Sequence, residues 1–358
     1  MLKYNLVFLL IIISVFQYSK PINFSDKEKL EAKDIYEEQR WVDSIYKNMT
    51  FDEKVGQLFM VAAYSNKNES HYKNIDKLIK DYKIGGLIFF QGGPIRQATL
   101  TNRFQAESKV PLFIGIDAEW GLSMRLDSTY KYPWNMTLGA IKDNTLIEKM
   151  GAQMAEQSKR MGIHFTFAPV VDINTNPNNP IIGNRSFGES REIVADKSLA
   201  YMSGLQSNGV FATAKHFPGH GDTSTDSHHT LPTVNFTSQR IDSIELYPYK
   251  KLIKNGLGSV MVAHLNVPNL EPQENLPSSL SYKIVTELLK EKLQFDGLIF
   301  TDALNMKGAS NFKQPGDIDL AAFLAGNDVL LFAEDVPKAL LKFKDAFKKK
   351  KLTDKRLA

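Results

Sequence analysis

The chain contains no cysteine among its 358 residues. Disulfide bonds, thiolate zinc sites, a cysteine nucleophile and a lipid anchor on cysteine are therefore excluded. A dominant sign of charge is also missing, because 44 Lys and Arg against 40 Asp and Glu leave a formal charge of +4. Much of this excess lies in the lysine run 348–351. Such a run is typical of a solvated helix face, so we expect no nucleic-acid partner.

The N-terminal apolar run, residues 6–16, is only eleven residues long. A membrane span needs about 20 residues, whereas a signal-peptide core fits this length. Lys3 precedes the run and the polar stretch 17–40 follows it. We expect residues 1–19 to be a signal peptide or N-terminal anchor of a periplasmic or secreted protein, 20–40 a linker or arm, and 41–358 one folded domain. A buried N-terminal helix is the alternative interpretation of the run.

Eight short apolar runs follow, each separated from the next by a polar turn and a stretch with helical spacing. They are nearly continuous in apolar residues, which is typical of strands buried on both faces of a parallel sheet. Eight strands with helical crossovers predict a (β/α)₈ barrel. An open doubly wound sheet is the rival fold, but no glycine-rich phosphate loop follows the first run. The predicted strands are 58–62, 86–90, 112–116, 165–171, 210–214, 259–263, 297–300 and 329–332.

Ionisable residues follow five of these eight runs. The chemistry of such barrels lies at the carboxyl ends of the strands, so these groups are expected to converge on one pocket. Glu119 and Arg125 come close behind the third run, and His216 comes after Lys215 at the end of the fifth. The five residues that we expect at one rim of the barrel are Asp117, Asp172, Lys215, His264 and Asp302.

The loop 215–232 holds four of the seven histidines and almost no apolar residue between Phe217 and Leu231. Such a segment cannot bury itself, so it is predicted to lie on the surface and, over 219–229, to be mobile. Histidine is the natural general acid or base near neutral pH, and Asp226 is placed to orient His228. A metal site and a merely polar loop are the alternatives.

A second turn-rich loop, 174–188, contains Arg185. A buried arginine is a good donor to hydroxyl or carboxylate oxygens. The alternative interpretation is a structural ion pair between Arg185 and Glu189 or Asp172.

The sequence Lys215-His216-Phe217-Pro218-Gly219-His220-Gly221, followed by Asp226-Ser227-His228 and Leu231-Pro232, resembles the signature of family 3 glycoside hydrolases. It is most similar to the branch of exo-β-N-acetylglucosaminidases that act on peptidoglycan fragments. Supporting segments occur in the order of that family, and the resemblance covers roughly residues 40–357. These segments are 49–57, 116–125, 184–188, 277–281 and 300–306.

This resemblance implies a retaining hydrolase that removes terminal β-linked N-acetylglucosamine through a covalent glycosyl-enzyme, without metal or cofactor. It implies Asp302 as nucleophile, His228 as general acid/base and Asp226 as the partner of His228. The residues that would hold the sugar hydroxyls are Asp117, Arg125, Arg185, Lys215 and His216. A β-glucosidase, a non-catalytic cell-wall sugar-binding domain and a metal-dependent hydrolase remain alternatives.

Two features depart from the family pattern. Trp120 stands where the family usually has glycine, so its ring is expected to reshape the loop or add a stacking surface. The sequence also stops at Ala358, where the family usually continues, so we expect a further C-terminal domain in the full-length protein.

Overall fold

The computed structural model describes residues 32–358. The predicted leader, 1–19, and residues 20–31 of the predicted arm lie outside the described residues. Helix α1, Ala32–Tyr46, spans the boundary that we predicted between residues 40 and 41. Among the helices of residues 32–358, none combines the length and the apolar character needed to cross a bilayer.

The eight strands are parallel, and each pairs with its neighbours in chain order. Strand β8 returns to pair with β1, and a parallel bridge between Phe300 and Val329 joins β7 to β8. The sheet therefore closes on itself, which confirms the predicted (β/α)₈ barrel. The strands are β1 Phe59–Ala63, β2 Gly86–Phe89, β3 Phe113–Ile116, β4 Phe165–Thr166, β5 Phe211–Phe217, β6 Ser259–Val262, β7 Leu298–Thr301 and β8 Leu330–Leu331.

Helices connect successive strands and surround the barrel. Helix α2, Phe51–Gly56, begins with a capping box, in which Thr50 accepts from the Glu53 N–H and the Glu53 carboxylate accepts from the Thr50 N–H at 2.8 Å. A π-helix, Lys283–Lys292, connects β6 to β7. The remaining helices are α2 Phe51–Gly56, α3 Glu69–Tyr82, α4 Pro94–Glu107, α5 Asn135–Gly139, α6 Asn144–Arg160, α7 Arg191–Gln206, α8 Ser238–Ser243, α9 Tyr247–Lys254, α10 Lys307–Ser310, α11 Asp317–Ala325, α12 Val336–Lys348 and α13 Asp354–Leu357.

Two apolar cores result from strands that are buried on both faces. The larger core lies between the strands and the surrounding helices. The smaller one fills the barrel interior with large side chains from six of the strands and from residues just after β4 and before β8. Because the interior is filled, substrate has access only to the strand ends and their loops. The interior residues are Met60, Ile88, Phe165, Phe167, Met261, Phe300, Val329 and Leu331.

Candidate active site

A cavity of about 540 Å³ opens at the carboxyl ends of the strands. Seven of the eight site residues predicted from the sequence line it, and the eighth, Asp226, lies behind His228. Parallel strands end at the same edge, so residues far apart in the sequence meet here. The seven lining residues are Asp117, Arg125, Arg185, Lys215, His216, His228 and Asp302.

The core of the cavity wall is a network of alternating charges, which we call the charged clamp: Asp117, Glu119, Arg125, Arg185 and Lys215. The Lys215 ammonium lies 2.8 Å from Oδ1 of Asp117 and 2.8 Å from Oε1 of Glu119. Arg185 holds the other side of Glu119 with two hydrogen bonds, of 2.9 Å and 2.8 Å. Arg125 donates to Oδ2 of Asp117 at 2.5 Å. Each buried charge thus has a partner of opposite sign.

The clamp keeps its groups ionised. Burial by itself would raise the pKa of Asp117, but the charges of Lys215 and Arg125 outweigh it and hold that pKa below its usual range. Burial likewise opposes ionisation of Glu119, yet Arg185 and Lys215 lower its pKa to about 2. For Lys215, burial lowers the pKa, and the two carboxylates reverse this and raise it. The cavity therefore offers fixed donors and acceptors to a ligand rich in hydroxyl groups.

The structure replaces the ion pair that was the alternative interpretation of Arg185 with a different one. Its partner is Glu119, and neither Glu189 nor Asp172 forms the ion pair that was the alternative. The residue is the last of a short 3₁₀ helix, Gly183–Arg185, and Nδ2 of Asn135 donates to its carbonyl at 2.7 Å. Arg185 is thus held from both its backbone and its guanidinium, with one edge left at the cavity wall.

His216 is oriented by Asp172, a fully buried carboxylate after β4. Oδ2 of Asp172 lies 2.7 Å from Nδ1 of His216, which leaves Nε2 of the ring 3.3 Å from Arg185. Burial would raise the pKa of Asp172, but the charge and hydrogen bond of His216 hold it below its usual value. Asp172 does not line the cavity. Its position behind His216 makes it a support for a ligand-facing group.

Asp302 stands directly after β7, with its carboxylate at the cavity. Oδ1 accepts a hydrogen bond from the N–H of Ala303 at 2.8 Å. Burial would raise the pKa of Asp302, but the charges of His216 and His264 and the Ala303 N–H lower it. The group is therefore an ionised carboxylate at neutral pH, which is the form that a nucleophile requires.

His228 reaches the cavity from the loop after β5. Its Nδ1 lies 2.7 Å from Oδ1 of Asp226, and the same oxygen accepts the His228 N–H at 2.8 Å. The His228 side chain is 56% exposed and that of Asp226 23% exposed. The carboxylate fixes the ring, and Nε2 is left to exchange a proton with a ligand.

The prediction that the loop 215–232 lies on the surface is wrong for its first half. His220 and Thr223 are buried, with 2.7 Å between Nδ1 of His220 and Oγ1 of Thr223. Nδ2 of Asn179 donates to the His220 carbonyl at 2.8 Å. Polar side chains that find partners can be buried without apolar neighbours, and such partners are not visible in composition.

Comparison with known proteins decides the family. Residues 50–358 match the model of the glycosyl hydrolase family 3 N-terminal domain. The chain belongs to this family. It is 36% identical over 280 residues, 72% of the chain, to Beta-hexosaminidase A of Pseudoalteromonas piscicida. It is 28% identical over 305 residues, 83% of the chain, to the Beta-N-acetylglucosaminidase/beta-glucosidase of Cellulomonas fimi.

A solved relative shows the same barrel. The family 3 beta-N-acetylglucosaminidase from Paenibacillus sp. str. FPU-7 has a TM-score of 0.81 and 37% identity, covering 86% of this chain and 60% of that one. The chain spans about half the length of the two curated relatives, 47% and 53%. The shared portion is the family 3 N-terminal domain.

Besides Asp172, a second residue after the strands of this family 3 domain, His264, lies outside the predicted arrangement. His264 was expected at the rim with Asp302, but it is fully buried and does not line the cavity. Its Nδ1 is 2.7 Å from Oγ of Ser279, and its Nε2 is 3.0 Å from the carbonyl of Ala303. Because Ala303 adjoins Asp302, His264 supports the segment that carries the carboxylate.

Glu119 was expected in the pocket without a specific role, and Trp120 was expected to reshape its loop or add a stacking surface. Glu119 is fully buried between Lys215 and Arg185, and its place two residues after Asp117 was the available signal. Trp120 lines the cavity and packs on Trp134 with ring centroids 4.2 Å apart. The bulky ring thus contributes an aromatic surface to the cavity wall.

Within residues 32–358, no group of three or more His, Asp or Glu side chains is arranged to hold a metal ion. The carboxylates of the clamp are already neutralised by lysine and arginine, and the ring nitrogens of His220 are both hydrogen bonded. The clamp carboxylates and the His220 ring are therefore committed to partners within the protein.

Proposed function

We propose that the protein hydrolyses terminal, non-reducing β-linked N-acetylglucosamine with retention of configuration. The observation that carries this proposal is one cavity that combines an ionised Asp302, a His228–Asp226 pair and the charged clamp. A nucleophile and an acid/base on opposite sides of a sugar are what a retaining glycosidase requires. The preference for an N-acetyl sugar is supported by the names of the relatives described above.

The two chemical steps follow from these positions. In the first, an oxygen of Asp302 forms a bond to the anomeric carbon while the bond to the leaving oxygen breaks, and His228 gives its Nε2 proton to that oxygen. In the second, His228 takes a proton from water, whose oxygen displaces Asp302 and releases the sugar. Asp226 stabilises the protonated ring before the first step and after the second, and it orients the neutral ring between them, while the clamp holds the sugar hydroxyls.

We further propose that the natural substrate is a peptidoglycan-type glycan and that the protein is exported. The N-terminal apolar run behind Lys3 supports export. Export would place the enzyme beside the cell wall, where this glycan is found.

A paired assay tests the substrate class. Chromogenic β-N-acetylglucosaminide and β-glucoside should be compared at equal concentration, and the first should be cleaved faster. The reverse order would favour the β-glucosidase alternative, to which the double name of the Cellulomonas fimi relative lends support. Binding of N-acetylglucosamine without turnover of either substrate would identify a non-catalytic sugar-binding domain.

We expect EDTA to leave the activity unchanged, because the proposed steps have no role for a metal and the acidic groups already have cationic partners. Turnover of the chromogenic substrate before and after dialysis against EDTA checks this. Activity that is lost in EDTA and returns with zinc would point to the metal-dependent alternative.

Removal of the acid/base should harm substrates unequally. We expect His228→Ala to lower kcat/KM on natural disaccharides by roughly 10²- to 10⁴-fold, because their leaving groups need a proton. A nitrophenolate leaves with little protonation, so its release should suffer much less. Since the second step still needs a base, the glycosyl-enzyme should accumulate as a burst, and azide should restore turnover. Asp226→Ala should have the same effect in weaker form.

His229→Ala is the matched control, because His229 is the exposed neighbour and Nε2 of its ring lies 3.9 Å from Asp226. It should behave like the native protein. Complete loss of activity in His228→Ala on activated substrates, with neither burst nor azide rescue, would contradict the assignment.

A further inference from the structure

Ser227, which precedes the proposed acid/base, makes a buried hydrogen bond that the two chemical steps do not use. Its Oγ lies 3.1 Å from Nε2 of His220. Both residues are buried and both line the cavity. Among residues 224–230, Ser227 alone is buried, while both of its flanking segments face solvent. The hydrogen bond between Ser227 and His220 therefore connects the otherwise exposed segment 224–230 to the buried part of the loop.

The neighbours of His220 define the direction of this hydrogen bond. The Thr223 hydroxyl donates its hydrogen to the His220 carbonyl at 3.0 Å. Oγ1 of Thr223 must therefore be the acceptor toward Nδ1 of His220, which lies 2.7 Å away. With the hydrogen on Nδ1, Nε2 is the acceptor, and the Ser227 hydroxyl donates to it. Burial, with the charge of His216, lowers the pKa of His220 to about 4. The ring is thus neutral near pH 7 and keeps its lone pair.

His220 is itself held firmly by the barrel. Its N–H donates to Oδ1 of Asp172 at 2.7 Å, and Asp172 also orients His216. The next residue, Gly221, passes so close to the backbone of Ile173 that a Cβ would meet its carbonyl oxygen at 1.8 Å. The first half of the loop is therefore a fixed anchor.

Helix α10 supports the second half of the loop. The Ser227 carbonyl accepts from the Gly308 N–H at 3.1 Å, and the His228 carbonyl lies 3.4 Å from the Lys307 nitrogen. A Cβ on Gly308 would lie 3.0 Å from the Ser227 carbonyl. The backbone of Ser227 and His228 is thus seated on the segment that follows Asp302.

We infer that Ser227 is a positioning residue whose hydroxyl, by donating to His220, holds the loop against the barrel and places His228 at the glycosidic oxygen. The inference rests on the proposed glycosidase function for the role of His228. Through His220 and Asp172, the loop shares its anchor with His216, so the acid/base and the sugar-binding wall have one common support.

Ser227→Ala tests this role, with Ser224→Ala, an exposed serine of the same loop, as the matched control. We expect Ser227→Ala to lower kcat on substrates with poor leaving groups by roughly 10- to 100-fold, as a displaced catalytic group does. Activated aryl glycosides should lose much less in their first step. The slope of log kcat/KM against leaving-group pKa should therefore steepen, which a smaller folded fraction would not cause. Ser227→Thr keeps the hydroxyl and should restore the native slope.

Amide exchange of residues 224–230, followed by mass spectrometry, is the second readout and needs no activity. It should be faster in Ser227→Ala than in Ser224→Ala. If exchange is faster in Ser227→Ala but the native protein cleaves no glycoside, the role of Ser227 in attaching the loop is supported and the proposed function is rejected. Native exchange and a native slope would overturn the inference, as would an equal loss on every substrate. If Ser227→Ala does not fold, Ser227→Cys replaces it, and a native slope there overturns the inference as well.

Discussion

Replacing Asp302 by alanine should abolish turnover of every glycoside, good and poor leaving groups alike. Asp302 is an ionised carboxylate of the cavity and stands directly after β7. Among the described residues, no cationic side chain lies within ion-pair distance of it, in contrast to Asp117. Without it the covalent intermediate cannot form, and we expect kcat to fall by roughly 10⁴- to 10⁶-fold, as for other covalent nucleophiles. Steady-state assays on a nitrophenyl glycoside and on a disaccharide measure this loss.

Azide gives this experiment a stereochemical readout. In Asp302→Ala, azide can enter the space of the carboxylate and attack an activated β-glycoside from that side, which yields the α-glycosyl azide. In His228→Ala, azide attacks the glycosyl-enzyme from the opposite side and yields the β-glycosyl azide. Asp296→Ala removes an exposed carboxylate just before β7 and should leave activity unchanged. Substantial activity in Asp302→Ala without azide would refute the nucleophile assignment.

The largest effect on stability is expected for Lys215→Met, which removes the shared cation of the charged clamp. Lys215 is 2% exposed, and its ammonium is within 2.8 Å of both Asp117 and Glu119. Breaking a buried pair from one side costs roughly 3–5 kcal/mol, because it leaves a buried charge without compensation. Sugar binding should also weaken, since a donor of the cavity wall is lost. Urea unfolding and KM for the chromogenic substrate measure the two effects.

The stability deficit of Lys215→Met should depend on pH. In the native protein the pKa of Glu119 is lowered from 4.5 to about 2, so its stabilising contribution is present above pH 4.5 and is lost as pH falls toward 2. In the variant, Asp117 and Glu119 lose a neighbouring cation and their pKa values rise. Their protonation at lower pH therefore removes the cost of the uncompensated buried charge. The difference between native and variant should thus be largest near pH 7 and shrink toward about pH 4.

Lys250→Met is the control, because Lys250 forms a partly exposed ion pair with Asp242 at 2.6 Å. Such pairs contribute about 0–1 kcal/mol. If both variants had the same unfolding free energy at pH 7, the clamp would not be the stabilising network described above.

Much of the site was readable from sequence because a barrel imposes one rule on every strand. The apolar runs located all eight strands. Strand β4, however, ends at Thr166 instead of residue 171, and β5 extends to Phe217 instead of residue 214. Pro169, which has no N–H to donate, interrupts the predicted run 165–171. The positions of the strand ends predicted which polar residues would meet, and the resemblance to family 3 glycoside hydrolases supplied their expected roles.

The failures concern partners rather than positions. His264 follows its strand as predicted, yet its ring turns to Ser279 and the Ala303 carbonyl, which are chosen by packing around β6 and β7. An ion pair of Arg185 with Glu189 or Asp172 was the alternative interpretation, but the loop path brings Glu119 within 2.8 Å of Arg185. Which of several charged residues pairs with a given side chain depends on the distances between them, and these distances are set only when the barrel closes.

The sequence by itself determined the family, the order of eight strands and the residue types available at their ends, because these follow from apolar periodicity and from one long motif. Only the tertiary structure decided that Lys215 stands between two carboxylates, that Glu119 completes the clamp, and that His220 is a buried anchor. Each of these depends on a hydrogen bond between residues brought together by barrel closure. Burial of a polar group is stable only when such a partner exists, and composition does not reveal the partner.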